Sequence, residues 1–494
     1  MGWFGVGLAL ILPWLAGTLT LKVFWPSDSP GAWPLALGYG YPLAMLGGVL
    51  ALYLLSPLGL IAAFWLLMLV FALLTVVGVR RLSDRRLEPK GLAVRDDMPL
   101  GSRLLFVLLL CWIVLRLTGL ALEIWWQPLF PWDAWTTWAV RARVWSEWHQ
   151  LVPFVAPPDW LADASGSVYG LAAWNYPKAV SLLALWPTLA YGGWNESAAN
   201  LPWLGCAIAL AFGFYGQARR WGASPLTSLV GLWLLLSLPL LNTHVALAGY
   251  ADLWLASALG LSAIAFLHWL GDGDRRQGVL FLLLAAACPF LKLEGGAWLW
   301  LFVPAFLAAR LGGRWMILAL LALVGLGIGV LVLGGARIDL PLIGMIEFST
   351  AALQLPFLGR FELGYHDNWG AFGRALFAQE NWHLLGYLLV LASPIALGLV
   401  IRGVKEPWRL AALTFVFGSF LMLFLLFFFT DASRWAEQAT SLGRLLLHFM
   451  PLYVFFLLTL WLRFGAATAW KGGSLPNARS GIHQEGSKES IVSA

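Results

Sequence analysis

Apolar runs of about 17 to 25 residues, the length that crosses a hydrocarbon core as one helix, follow one another along this chain with only short polar breaks. The pattern predicts about thirteen membrane spans, at 3–23, 35–55, 57–79, 103–124, 200–217, 224–241, 250–270, 278–290, 295–311, 315–334, 384–401, 409–429 and 445–464. The predicted fold class is therefore an all-α polytopic membrane protein whose long first outer loop carries interfacial helices. The runs 278–290 and 295–311 are short and are expected to form a hairpin that stops near the outer surface. Tyr176 to Gly193 is also apolar, but as a full crossing it would put later basic loops outside, so it reads as a re-entrant or interfacial helix on the outer face. The N-terminal run lacks a positive flank and is long enough to span, so it reads as the first helix and not as a cleavable signal.

Composition hardens this reading. With 60% hydrophobic and 11% charged residues and a mean hydropathy of +0.78, no polar surface for a soluble domain is left. The 31 tryptophans suit a chain that meets the headgroup level many times, where an indole keeps one edge apolar and the other wet. Lys and Arg cluster at Arg80–Arg103, Arg219 and Arg220, Arg275 and Arg276, Arg310 and Arg314, Arg402–Arg409, and Arg463–Lys471. All of these fall on one side if the spans alternate, which makes that side cytoplasmic and gives a multi-pass protein of the inner (plasma) membrane. The net charge of +6 is then loop bias, and the partner it implies is a bilayer, with no nucleic acid. Cys111, Cys206 and Cys288 lie in apolar runs without metal-ligand spacing and read as packing residues. The chain divides into a three-helix unit (1–80), a charged cytoplasmic linker (81–102), a main transmembrane module (103–465) and a polar cytoplasmic tail (466–494).

The other face receives nearly all the remaining ionisable residues. Asp133 stands in WDAWTTWAVRARVW, beyond the end of a span and inside a tryptophan belt, where a half-desolvated ion is costly unless paired or used. Arg141 and Arg143 follow it too far along the sequence for a one-turn helix pair, since only i+3 and i+4 neighbours meet. Tyr176 and Lys178 belong to the turn NYPK, which opens the re-entrant segment and offers an ammonium to an anionic lipid phosphate or to simple snorkelling. Asp252, in GYADLWLA, starts a long apolar helix, where it either caps the dipole or serves a site. Lys292 and Glu294 interrupt the hairpin at LKLEGGAW, and ionisable groups at membrane depth mark function unless they satisfy one another. His366 and Asp367 lie in a long outer loop and are too few for a divalent cation unless substrate phosphate completes the shell. No metal ligand set is assigned and no cofactor is certain, a divalent cation staying open. Arg444 and His448 share one face of the last helix near its outer end, and an arginine there can hold two phosphate oxygens at once.

In their order and shared outer placement, WDAWTTWAVRA, the YPK turn, YADLWLA, the KLEG break and the terminal arginine-bearing helix resemble the GT-C superfamily of polytopic glycosyltransferases, nearest to its protein-mannosyltransferase-like and aminoarabinose-transferase-like members. The resemblance covers roughly 104–464 and leaves the three N-terminal helices and the tail outside. It implies sugar transfer from a polyprenyl-phosphate-linked donor to a hydroxyl of an acceptor lipid, glycan or protein, on the extracytoplasmic side and with inversion. It implies Asp133 as catalytic base, Lys178, Lys292 and Arg444 as holders of the lipid phosphate, and Asp252 as the aspartate that opens a middle helix. Ala134 stands where several relatives carry a second acidic residue, which touches metal dependence.

The same chemistry follows without the family. A glycosyl phosphate already has a good leaving group, so catalysis must stabilise the departing phosphate with Arg or Lys and deprotonate the acceptor with a carboxylate. A transporter or flippase should instead show repeated broken helices and charges at the midplane. A surface-polysaccharide polymerase or ligase would use Arg and His in an outer loop on a similar donor. Convergence of Asp133 and Arg444 on one outer cavity favours transfer over transport.

Overall fold

The computed structural model describes residues 2–25, 29–85, 98–127, 131–340, 344–356, 359–402 and 406–470. Most of the linker 81–102 and the tail beyond 470 therefore lie outside the described residues. The chain is mostly helical, in order α1 (Gly2–Phe24), α2 (Ala32–Leu55), α3 (Leu60–Arg85), α4 (Leu100–Trp126), α5 (Ala139–Trp148), α6 (Pro157–Ala162), α7 (Ala179–Tyr191), α8 (Glu196–Arg220), α9 (Pro225–Leu236) and α10 (Pro239–Ala246). There follow α11 (Asp252–Asp272), α12 (Arg275–Leu291), α13 (Leu293–Leu299), α14 (Phe302–Val332), α15 (Trp369–Gly373), α16 (Leu385–Ile401), α17 (Pro407–Phe429), α18 (Ser433–Glu437), α19 (Leu442–Leu447) and α20 (Met450–Trp470).

Among the described residues, 7 helices are long and apolar enough to cross a membrane, and 8 if α9 and α10, bent by 68° at Ser237–Leu238, form one broken span. This is a multi-pass membrane protein, built of fewer long helices than the apolar runs predict. The difference has physical causes. Runs 295–311 and 315–334 are not separate: after the short α13, α14 continues unbroken from Phe302 to Val332, so positions 310–314 are helical and form no basic loop. Neither Gly312 nor Gly313 breaks it, because a glycine costs only about 1 kcal/mol inside a helix. Others, such as α16 with 17 residues, are shorter apolar helices at the lower limit of a spanning length.

α11 is the axis of the bundle, with nearly every residue buried. Around it α2 and α8 pack so closely that a Cβ on Gly38 would lie 2.0 Å from the Gly213 nitrogen, the close approach that small residues give membrane helices. Tyr39 on α2 donates to the Leu261 carbonyl of α11 at 2.7 Å. The N-terminal helices thus share one core with the rest.

Contacts sort the helix termini into two ends. At one, Trp25 lies beneath the Arg220 and Arg276 guanidinium groups at 4.9 and 5.9 Å. At the other, the start of α1 meets the ends of α4 and α7: Trp3 lies 4.2 Å from Trp125 and 5.4 Å from Tyr191, ring to ring. α7 also begins at this second end, where Lys178 donates to the Tyr53 hydroxyl near the end of α2 at 3.1 Å. With 13 residues, or about 20 Å of rise, it starts and finishes at one end, as a re-entrant or interfacial segment would.

Short strands lie outside the helices. β1 (Phe154–Val155) and β2 (Tyr169–Gly170) pair in parallel, and β3 (Ala336–Leu340), β4 (Gly344–Phe348), β5 (Ala352–Leu355) and β6 (Gly359–Glu362) form an antiparallel meander. The sequence reading treated 335–383 as loop. These strands are too short and too mixed in polarity to stand out against long apolar runs.

Candidate functional site: a carboxylate–arginine cluster

Four stretches far apart in sequence meet at the second end of the bundle. Asp133 follows α4 and precedes a single π-helical turn, Ala134–Trp138. Asp252 is the first residue of α11, Lys292 fills the break between α12 and α13, and Arg444 sits on α19 with His448 just after it.

Asp252 is the hub. Its Oδ1 accepts from Lys292 Nζ at 3.0 Å and from His448 Nε2 at 3.0 Å. Its Oδ2 accepts from Arg444 Nε at 3.1 Å and Nη2 at 2.7 Å. A carboxylate offers about four lone-pair positions, and all four are taken. Asp252 is fully buried, and a charge in that position persists only when paired and hydrogen-bonded. It is neither a helix cap nor available as a base or metal ligand.

Arg444 reaches on from Asp252 to Asp133, donating from Nη2 to Oδ2 at 2.6 Å. Its guanidinium also lies 4.5 Å over the Tyr250 ring, a further seat for a cation. Burial alone would lower this group, but the Asp252 and Asp133 carboxylates outweigh it and hold it above its ordinary value. Side-chain exposure distinguishes the two partners: Asp133 keeps 32% and Asp252 none.

Lys292 divides itself between Asp252 and Glu294, at 3.0 and 3.1 Å. The Glu294 Oε2 atom is buried and has no hydrogen-bond partner. His448 is held on both nitrogens, because Trp298 Nε1 donates to Nδ1 at 3.0 Å. An indole N–H can only donate, so Nδ1 carries the lone pair and the proton sits on Nε2, facing Asp252. His448 is thus a neutral ring that orients Asp252, and the substrate contact expected of it has no free nitrogen to make.

Several other expected site residues lie elsewhere. Arg141 is buried and donates to the backbone carbonyls of Tyr176 at 2.9 Å, Pro177 at 3.4 Å and Ala173 at 2.5 Å. Burial lowers its guanidinium to about 10, still charged at neutral pH. It staples the first outer loop to the start of α7 instead of contacting substrate. Arg143 pairs with Glu147 one helical turn away at 2.9 Å, both exposed. Lys178 rests on Tyr53, its Nζ 4.8 Å from the ring centroid. His366 and Asp367 stay near the end of α17 and the start of α15: the His366 amide donates to the Phe428 carbonyl at 2.8 Å, and Asp367 accepts from the Trp369 amide at 3.4 Å. Tyr176 lies at the edge of the cluster. Burial first, then the neighbouring Glu294 carboxylate, raise its phenol above the ordinary value.

Sequence reasoning missed three members. His244 lies on α10 and Tyr250 just before α11, His244 with Nε2 buried, unpartnered and 3.9 Å from Asp252 Oδ2. Trp298 closes the LKLEGGAW motif. Each was passed over because an apolar or singly polar residue among so many tryptophans carries no signal until a partner is seen. Among the described residues, no three His, Cys, Asp or Glu side chains are grouped so as to hold a metal ion. All three cysteines are free thiols.

No family model matches the chain, and no curated protein or solved structure matches it either.

Proposed function

We propose that the protein is a GT-C-like membrane glycosyltransferase that moves a sugar from a polyprenyl-phosphate-linked donor to an acceptor hydroxyl on a lipid, glycan or protein. The observation that carries this reading is the 2.6 Å contact between Asp133 and Arg444, anchored on buried Asp252. A half-exposed carboxylate and a half-exposed guanidinium, side by side at one end of an apolar bundle, are the two groups the reaction needs. The other end carries Arg220, Arg276, Arg409 and Arg463. By the positive-inside rule that end is cytoplasmic, so the cluster faces the extracytoplasmic side of the inner membrane.

Asp133 is the base, since among the described residues it accepts one hydrogen bond where Asp252 accepts four. It takes the proton of the acceptor hydroxyl as that oxygen bonds to the anomeric carbon from the face opposite the phosphate. The carbon–oxygen bond to phosphate breaks, its electrons pass to the leaving phosphate, and the configuration inverts. Arg444 is the cation that meets the developing negative charge, a planar fork suited to two phosphate oxygens. Lys292 and His448 keep Asp252 in place so that Arg444 is presented in one orientation. Their role is positioning, with Glu294 holding Lys292 from the other side.

A panel of polyprenyl-phosphate sugars offered to the purified protein in lipid nanodiscs tests this. At least one donor should be turned over, and Asp133→Asn should abolish the turnover while the protein stays folded. Undiminished transfer in that variant would remove Asp133 from the base role.

A further inference from the structure

We propose that the Arg444–Asp133 ion pair is a latch opened by the donor's own phosphate, so that the base is set free only when a lipid phosphate is in place. The inference rests on the glycosyl-transfer reading above and adds to it the order in which the site is armed.

Arg444 Nη2 donates at once to a buried carboxylate and to a half-exposed one, at 2.7 Å to Asp252 and 2.6 Å to Asp133. An incoming phosphate competes for the same guanidinium. It can displace only the partner that solvent already reaches, because removing a buried ion's counter-charge is far more costly than breaking a half-exposed pair. Asp133 is that partner.

The arginine itself has no reason to follow. Its Nε and Nη2 remain on Asp252, and the Tyr250 ring remains beneath it. Asp252 in turn is gripped by Lys292 and by His448, whose ring Trp298 fixes. These contacts hold the guanidinium still while Asp133 leaves on the short stretch 131–138, whose Trp132 and Trp135 are both exposed. Once off the arginine, the Asp133 Oδ2 atom is free to accept the proton of an acceptor hydroxyl beside a newly bound donor. Without donor, that oxygen stays occupied by Arg444.

The test is equilibrium binding of farnesyl phosphate, a short polyprenyl phosphate, to the full chain in nanodiscs. Asp133→Asn removes the competing charge and should tighten binding about fivefold, the factor expected for a partly exposed pair, while Arg444→Ala should abolish it. Asp133→Ser, which also lacks the charge, serves the same purpose should the Asn variant not fold. Binding by the Asp133 variants that is unchanged or weaker overturns the latch and leaves the glycosyl-transfer reading standing. Absence of farnesyl phosphate binding by the wild type overturns both. A parallel titration with inorganic phosphate separates the sources of the anion: an equal gain assigns the latch to the phosphate group alone, and a gain confined to farnesyl phosphate assigns it to the lipid-borne form.

Discussion

Both ends of the bundle carry buried or half-buried ion pairs, pairwise contacts at one end and a single connected cluster at the other. At the basic end the contacts are pairwise: Arg409 pairs with Glu406 three residues away, and Arg220 reaches from the end of α8 to Asp274 just after α11 and to Asp272 at its last residue, at 2.7 and 3.7 Å. Glu406 also takes Arg463 at 2.6 Å. A cavity of about 400 Å³ opens there, lined among others by Arg220, Trp221, His268, Glu406 and Arg463. At the opposite end Asp133, Asp252, Lys292 and Arg444 come from four separate stretches into one cluster, joined through Asp252 and Arg444. A pair needs only two helix ends side by side at a partly solvated surface. A four-way meeting must be held by the whole fold, with the turn that bears Asp133, α11, α12 and α19 all in register. The contrast teaches that convergence, not charge density or cavity size, separates the candidate site from the basic end.

The sharpest way to break that contrast is to remove the arginine at each end. Arg444→Ala leaves buried Asp252 short of two hydrogen bonds and a counter-charge, so it should destabilise the protein by about 3–5 kcal/mol and abolish turnover. Thermal unfolding in nanodiscs reads the first effect and donor turnover the second. If Arg444→Ala unfolds at the wild-type temperature, Asp252 is not the buried hub described above.

Asp133→Asn should divide the two readouts. Turnover falls by about 10²–10⁴, the range for loss of a general base, whereas stability moves by about 1 kcal/mol or less because the pair is partly exposed. A stability loss as large as that of Arg444→Ala would make Asp133 a structural partner of the hub. Trp298→Phe comes next. It strands the buried His448 Nδ1, which should cost about 1–3 kcal/mol and loosen the orientation of Asp252. A temperature of unfolding equal to wild type would show that the indole does not hold the ring.

Much of this site was legible in the sequence, and the reason is the apolar background. In a chain with 11% charged residues, Asp133, Asp252, Lys292, Glu294, Arg444 and His448 stood out one by one, and the structure brings all six together. Arg141, Arg143, Lys178, His366 and Asp367 stood out by the same rarity, and the structure gives them other partners: backbone carbonyls, a neighbouring glutamate, a tyrosine and local amides. A sequence shows that a charge needs a partner but not whether the partner is a carbonyl. His244, Tyr250 and Trp298 were illegible for the converse reason, since their roles exist only through contacts across the bundle. For the fold, the apolar class was plain, but the number of long helices was not. Hydropathy cannot tell whether a helix such as α14 runs on through two glycines or stops at them, nor whether a short run such as α7 crosses or turns back.

Arg463→Ala at the basic end should leave turnover unchanged and cost about 1 kcal/mol or less, because its pair with Glu406 is partly exposed. Turnover lost in this variant would mean that the basic end takes part in the reaction after all, and the two ends would no longer be distinct.

The smallest effect is expected at Arg143, which sits in the same tryptophan-rich stretch as Asp133. The structure gives it Glu147 on the next turn, with side-chain exposures of 58% and 50%. An exposed i,i+4 pair contributes only about 0.3–0.5 kcal/mol and is screened by salt. Arg143→Ala should therefore bind farnesyl phosphate as wild type does, turn over donor at an unchanged rate and shift unfolding barely above error. Arg141→Ala, two residues earlier, removes donors from three carbonyls at the start of α7 and should lower the unfolding temperature clearly. Should the two variants behave alike, the loop bearing Asp133 is not fastened through Arg141, and the position of the base would have to be set by Arg444 alone.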